Sequence, residues 1–238
     1  MEDIKSIISS FSQDHIFTED DLYNLMEGKK IESSTLRWTL FHLCEEGVIT
    51  KVKPKTYIKS NTAKYDYQFI SEESKKISQI VQDKYKKIRI AIWDDKILNQ
   101  WLELLLTQNI VFVEVEKEFS EIIFESLKSQ FEGSVLFNPT IEDIFLYQKD
   151  NIIVVKDLFS QSPINMNKKR ITIEKLIVDL LYEKTLNKLL DSHQIIVVVT
   201  EILKQYMINE TKLYAYAERK HKKEELRTLI ESIRNQNA

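Results

Sequence analysis

The hydrophobic period of the chain changes at Gly47, and that change constrains its fold more than any other feature. Upstream of it, apolar residues recur at helical spacing. "DIKSIISSF" sets Ile4, Ile7, Ile8 and Phe11 on one face. "FTEDDLYNLM" opens with Thr18 as an N-cap, followed by Glu19, Asp20 and Asp21, whose charge suits a helix N-terminus. "ESSTLRWTLFHLCEEG" begins at Ser33 or Ser34 and stops at Gly47. Leu36, Leu40, Leu43 and Cys44 share one face of this third helix, a face that Arg37, Trp38 and Thr39 cannot all join. Downstream, the sequence alternates. Val48, Thr50 and Val52 point to one side, and Ile49, Lys51 and Lys53 to the other. A turn at Lys53-Pro54-Lys55 then lets "KTYIK" return antiparallel. Helix, helix, helix and a basic ribbon is the order of a winged helix-turn-helix, in which the third helix lies in the major groove and the wing reaches the flanking backbone.

The charge distribution sharpens that reading. With 34 Lys and Arg against 37 Asp and Glu, the net charge is -3. Any nucleic-acid contact must therefore come from a local patch. "GVITKVKPKTYIK" supplies Lys51, Lys53, Lys55 and Lys59 with no acidic residue between them, and Lys64 extends the window. Phosphate contacts give sequence-independent affinity and need cations on a protruding element. Arg37, with the small polar Ser34 and Thr35, suits base edges or phosphates near a helix N-terminus. Trp38 belongs to the same surface, although an indole there can also pack against the wing. The expected DNA-binding set is Ser34, Thr35, Arg37, Trp38, Lys51, Lys53, Lys55 and Lys59. A lysine-rich hairpin can also be a solvated edge that only prevents aggregation, and winged domains also serve as protein-binding modules.

Composition excludes several classes. The chain is 43% hydrophobic and 30% charged, enough apolar material to build cores. Three glycines leave no Gly-rich phosphate loop, and one cysteine leaves no intramolecular disulfide or cysteine-rich zinc site. Cys44, on the apolar face of the third helix, reads as a core residue rather than a nucleophile. His15, His42, His193 and His221 lack metal-binding spacing. "MEDIKSIISS" does not read as a signal peptide, and no apolar run approaches the roughly 18 residues of a membrane span. A cytoplasmic protein without a membrane partner is expected.

The expected organisation is a winged helix-turn-helix over 1–70, a linker or helix over 71–87, and an α/β domain with C-terminal helices over 88–238, α+β overall. From Ile88 strand-like and helix-like stretches alternate: "IRIAIW", "KILNQWLELLLTQ", "IVFVEVE", "FSEIIFESLKSQF", "SVLFN", "TIEDIFLYQ" and "NIIVVKDL". Beyond Arg170 the pattern turns helical, with "ITIEKLIVDLLYEK", "TLNKLLDSHQIIVVVTEILKQY" and "ETKLYAYAERKHKKEELRTLIESI". The β-branched "QIIVVV" could be a short strand, but its context favours helix.

Two charged constellations stand out in this half. Asp94 or Asp95 with Glu114 and Glu116 resembles the acids of a restriction-endonuclease-like Mg²⁺ site, the alternative function for the chain. Such a site wants an acid, one spacer and a lysine. Here Glu116 takes the lysine's place, and Lys117 points to the opposite face, so paired or solvated glutamates are the simpler expectation. Glu174 and Lys175 are expected to serve a helix's first turn and the surface, and Asp179 is not paired with Glu174. The tail cluster Arg219, Lys220, Lys222 and Lys223 could form a second basic surface, with Tyr214 and Tyr216 available for stacking. Because acids follow immediately, a solvated helix is the simpler expectation, with Lys220 paired to Glu224 and Lys222 and Lys223 near Glu225.

The amino-terminal winged helix, "FVEVEK" (Phe112 to Lys117), "ITIEKLIVDLL" (Ile171 to Leu181) and "YAYAERKHKKEEL" (Tyr214 to Leu226) together resemble the AbiEi-type abortive-infection antitoxin and transcriptional regulator proteins. The resemblance implies the antitoxin of a bacterial toxin-antitoxin pair in phage defence. Its winged helix would bind duplex DNA at inverted repeats in its own promoter. Its second domain would oppose a nucleotidyltransferase-like toxin without requiring a stable complex. It implies no catalysis, and no cofactor or metal is expected.

Overall fold

The computed structural model describes residues 2–12, 15–26, 31–59, 65–131, 133–147 and 151–236. Lys64 of the basic window lies outside them. The chain forms two compact units, Met1–Tyr65 with Leu203–Met207, and Asp66–Ile202 with Ile208–Ala238.

In the first unit, α1 (Glu2–Ser10), α2 (Glu19–Leu25) and α3 (Ser33–Glu45) precede β2 (Ile49–Lys53) and β3 (Thr56–Lys59). A short β1 (Ile16–Thr18), too brief to read from periodicity, adds to β3 and gives an antiparallel sheet of order β1-β3-β2. Thr18 caps α2 in a reciprocal capping box with Asp21, whose carboxyl the Thr18 hydroxyl and backbone N–H hold below its ordinary range. Gly47 ends α3 at φ 77°, where the Val48 N–H reaches Leu43 O at 3.0 Å and the Gly47 N–H reaches Cys44 O at 3.1 Å. These are the two bonds of a Schellman motif, and the left-handed φ explains why glycine stands there. Ile4, Ile8, Phe17, Leu22, Leu36, Leu40, Leu43, Ile49 and Tyr57 form the core, with Cys44 partly buried against it.

The second unit is built on a six-stranded sheet of order β6-β7-β5-β4-β9-β8. Its strands are β4 (Ile90–Asp94), β5 (Asn109–Val115), β6 (Val135–Phe137), β7 (Asn151–Asp157), β8 (Ile164–Asn165) and β9 (Arg170–Ile171). The segments β6, β7 and β5 run parallel, β4 lies antiparallel to β5, and β9 is parallel to β4. Alternation divides β4 and β5 between two faces. Ile90, Ile92, Val111, Val113 and Val115 join the core cluster that also holds Ile77 and Val81 of α4 (Glu72–Lys84) and Ile123 and Leu127 of α5 (Lys117–Lys128). The stretch 71–87 is thus mostly helix α4, packed into this core. The opposite face carries Ala91, Trp93, Phe112 and Glu114, all buried.

The helices α6 (Ile141–Leu146), α7 (Ile173–Tyr182), α8 (Ser192–Gln205), α9 (Glu210–Arg219) and α10 (Lys223–Gln236) complete the chain. The "QIIVVV" run is helical, inside α8. Two expected helices differ. "KILNQWLELLLTQ" forms only a 3-10 turn over Asp95–Gln100, and the Asn99 side-chain amide bonds the Leu106 backbone beyond it. Its Oδ1 accepts the Leu106 N–H at 2.7 Å and its Nδ2 donates to Leu106 O at 3.2 Å, closing a loop that leaves Leu104 77% exposed. The last helical run is broken between α9 and α10. His221 adopts φ 57°, while the Lys222 N–H reaches Ala217 O at 2.8 Å and the His221 N–H reaches Glu218 O at 3.0 Å. This is a second Schellman motif, with histidine in the glycine position.

Candidate nucleic-acid interface

The surface of α3 follows from its helical spacing. Leu36, Thr39, Leu40 and Leu43 turn inward, and Ser34, Trp38 and Phe41 form a stripe on the opposite side. Trp38 is 53% and Phe41 61% exposed, and the His42 ring lies 4.1 Å from Trp38 and 5.7 Å from Phe41, centroid to centroid. Thr35 and Arg37 flank the stripe and are exposed. From Ser33 to Cys44 the helix carries no carboxylate.

Glu19 organises this surface from below. Its backbone N–H donates to Lys55 O at 3.1 Å, which holds the wing turn at the start of α2. Its buried carboxylate accepts from the Tyr57 hydroxyl at 3.4 Å and faces the Arg37 Nε at 3.7 Å. Burial, together with the Glu19 charge, raises the Tyr57 phenol above its ordinary range. One residue therefore ties α2, α3 and the wing. In the sequence it reads only as a first-turn acid, because its partners lie 18 and 38 positions away.

The wing lysines have different surroundings. Lys51, Lys53 and Lys55 are exposed and make no ion pair among the described residues. A register shift between Lys51 and Lys53, and Lys55 at φ 60°, bend the ribbon at its tip. Lys59, expected to meet phosphate with them, instead turns inward. Its Nζ donates to Ser9 O at 2.7 Å and Phe11 O at 2.5 Å, satisfying carbonyls at the end of α1.

The second cluster of expected cations is largely neutralised. Lys220 is the clearest correction: its Nζ reaches Asp179 Oδ1 at 2.8 Å, not Glu224, and its side chain is 11% exposed. The chain reversal at His221 takes residue 220 out of line with α10, so the expected i,i+4 pair cannot form. Lys222 pairs with Glu225 at 2.6 Å and Lys223 with Glu218 at 3.2 Å, while Arg219 is exposed and makes no ion pair among the described residues.

Lys175 is a further correction. Far from serving the surface, it is fully buried, with its Nζ 2.7 Å from Glu114 Oε2 and also bonded to Asp179. Trp93 Nε1 donates to Glu114 Oε1 at 2.9 Å, and the Tyr216 hydroxyl donates to Asp179 Oδ1 at 2.8 Å. Burial alone would lower the Lys175 ammonium, but the Asp179 and Glu114 carboxylates outweigh it and hold the group above its ordinary range. Burial would likewise raise Asp179, yet Lys175 and Lys220 hold it at about 2. Burial lifts the Tyr216 phenol, and the Asp179 charge adds to the effect. Glu174 is also buried, accepting the Asn209 N–H at 3.0 Å.

The acids of the nuclease alternative do not converge. Asp94 and Glu114 lie on opposite faces of the sheet, since Trp93 and Phe112 pair between them. Asp94 accepts from the Tyr67 hydroxyl at 2.6 Å and the Ile70 N–H at 3.1 Å, and also binds the Ser71 hydroxyl. Glu116 faces Arg89 at 3.9 Å. Asp95 is buried, accepts the Ile110 N–H at 2.8 Å, and is pushed up to about 7 by desolvation. Among the described residues no three His, Cys, Asp or Glu side chains are grouped so as to hold a metal ion.

The first unit thus has the element order of a winged helix, with a polar-aromatic third helix and wing lysines that make no ion pair among the described residues. The chain belongs to a family of unknown function (DUF6577), whose model matches residues 35–236, from within α3 to the end of α10. No curated protein matches it. Among the described residues no helix is long and apolar enough to cross a membrane.

Proposed function

We propose that the chain is a cytoplasmic DNA-binding regulator that represses its own promoter through the winged unit. The observation that carries this reading is the triplet Lys51, Lys53 and Lys55, exposed on a bent hairpin and without an ion pair among the described residues, in a chain of net charge -3. Cations kept free of carboxylates retain their full attraction for phosphate. Ser34, Thr35, Arg37 and Trp38 on α3 supply the groove-facing side chains. The resemblance to the AbiEi-type regulators extends the proposal to an antitoxin role against a nucleotidyltransferase-like toxin. The second unit would oppose the toxin without catalysing a reaction. That is supported by the engagement of Glu114 with Lys175 and of Asp94 with Tyr67 and Ser71.

A mobility-shift assay of the full chain on the DNA upstream of its own reading frame tests the first half. The proposal expects a shift of that fragment, at inverted repeats, under conditions where an unrelated duplex stays unbound. Equal binding of both duplexes, or of neither, overturns it. For the second half, a nucleotidyltransferase-like protein encoded beside this chain should arrest growth alone and not when co-expressed with it. Arrest that persists on co-expression removes the antitoxin role.

A further inference from the structure

The α3 stripe raises a question that the basic wing does not answer. Trp38 and Phe41 are large, apolar and more than half exposed, and they stand side by side on the helix face turned away from the core. An exposed aromatic pair on a rigid helix marks a contact surface. Its surroundings state the charge of the partner. Acids border the stripe, since Glu32 accepts the Ser34 hydroxyl at 3.3 Å and Glu19 faces Arg37, but the exposed Lys51, Lys53 and Lys55 of the same unit make no ion pair among the described residues. Those exposed lysines favour a polyanion over a protein of ordinary mixed charge.

Apolar side chains on a recognition helix find one apolar group in the DNA major groove, the C5-methyl of thymine. We infer that Trp38 and Phe41 read thymine methyl groups, so that the site preferred by this protein has thymines at the positions facing the middle of α3. The inference rests on the DNA-binding reading above and names the chemistry of its specificity. His42 buttresses both rings by its edge-on contacts, which limits the rotamers available to them. Ser34, one turn before Trp38, donates its hydroxyl to the Glu32 carboxylate at 3.3 Å, which makes the N-terminal end of the stripe polar. Arg37 lies beside the stripe with its Nε near the Glu19 carboxylate, so its guanidinium is restrained before DNA arrives.

The test uses the full chain. Duplexes enriched by the protein from a random pool are compared with the same duplexes carrying uracil for thymine, which removes only the C5-methyl. Removing each methyl that the rings touch is expected to weaken binding roughly fourfold, the scale of one buried methylene. Phe41→Ala and Trp38→Ala should each abolish the thymine-to-uracil difference at one position while leaving the difference at the other. Phe41→Leu, which keeps an apolar side chain there and guards against a folding defect, should retain part of it. Equal affinity for thymine and uracil duplexes overturns the inference and leaves the DNA-binding reading standing. So does an unchanged thymine preference in both alanine variants, or variants that bind DNA normally but lose self-association. Failure to enrich any duplex overturns both.

Discussion

Two lysine-rich stretches of this chain look alike in sequence and have opposite surroundings in the fold. The wing holds Lys51, Lys53 and Lys55 exposed and without an ion pair among the described residues, whereas Lys220, Lys222 and Lys223 near the C-terminus are each bonded to an acid. Lys175, isolated in sequence, goes further and sits fully inside the second unit between Glu114 and Asp179. The lesson is that charge density along the chain does not measure charge available to a partner. What matters is the distribution of carboxylates in space, and the second unit consumes its inner lysines in holding itself together.

The comparison can be broken first at Lys175. Lys175→Met leaves Glu114 and Asp179 buried without their shared cation, and should destabilise the protein by about 3–5 kcal/mol in urea unfolding. Lys53→Ala with Lys55→Ala should stay within about 0.5 kcal/mol of the parent, because exposed unpaired side chains contribute little to stability. A Lys175→Met variant as stable as the parent would show that the buried network is not a structural element.

A second test uses pH. The folded-state carboxyl of Asp95 is raised to about 7, so between its unfolded value of 3.8 and about 7 the folded state binds the extra proton. Stability from this group is present below that window and is lost as pH rises through it. Asp95→Asn should therefore stabilise the protein at pH 8 by roughly 2–4 kcal/mol, and the gain should vanish near pH 4. Asp179, held at about 2, has the opposite sign: its contribution is present above 3.8 and fades as pH falls toward 2. Parallel pH profiles for parent and Asp95→Asn would contradict the assignment.

A smaller effect is expected at Lys220. Lys220→Ala removes one of the two cations beside Asp179 and should cost about 1–3 kcal/mol, with DNA affinity unchanged. A loss of DNA affinity greater than that of the wing variants would mean that the tail, not the wing, is the basic surface.

Much of the architecture was legible because its signals are local. Thr18, the apolar faces of α1 and α3, Gly47 and the alternation after it describe the first unit almost element by element. The buried strands β5 and β7 stand out as apolar runs. β1 was too short to leave a periodic signal, and several other failures arose where a side chain found a partner that the local sequence does not announce. Asn99 closes on Leu106 where the leucine spacing favours a helix. Lys59 prefers the carbonyls of Ser9 and Phe11. Lys220 caps α9 and reaches Asp179, and the left-handed His221 sets it apart from α10. Glu19, the hub beneath the candidate interface, gave no signal because the partners of its carboxylate, Arg37 and Tyr57, belong to α3 and the wing. The candidate site was therefore readable in its exposed cations and not in what positions them.

The most direct measurement is the salt dependence of DNA binding for two triple variants of the full chain. Replacing Lys51, Lys53 and Lys55 by alanine should flatten the slope of log affinity against log salt by roughly 2–3, about one unit for each phosphate no longer neutralised. Replacing Arg219, Lys222 and Lys223 by alanine should leave the slope unchanged. An unaltered slope in the wing variant, or a flatter one in the tail variant, would contradict the claim that the unpaired wing lysines are the ones that meet phosphate.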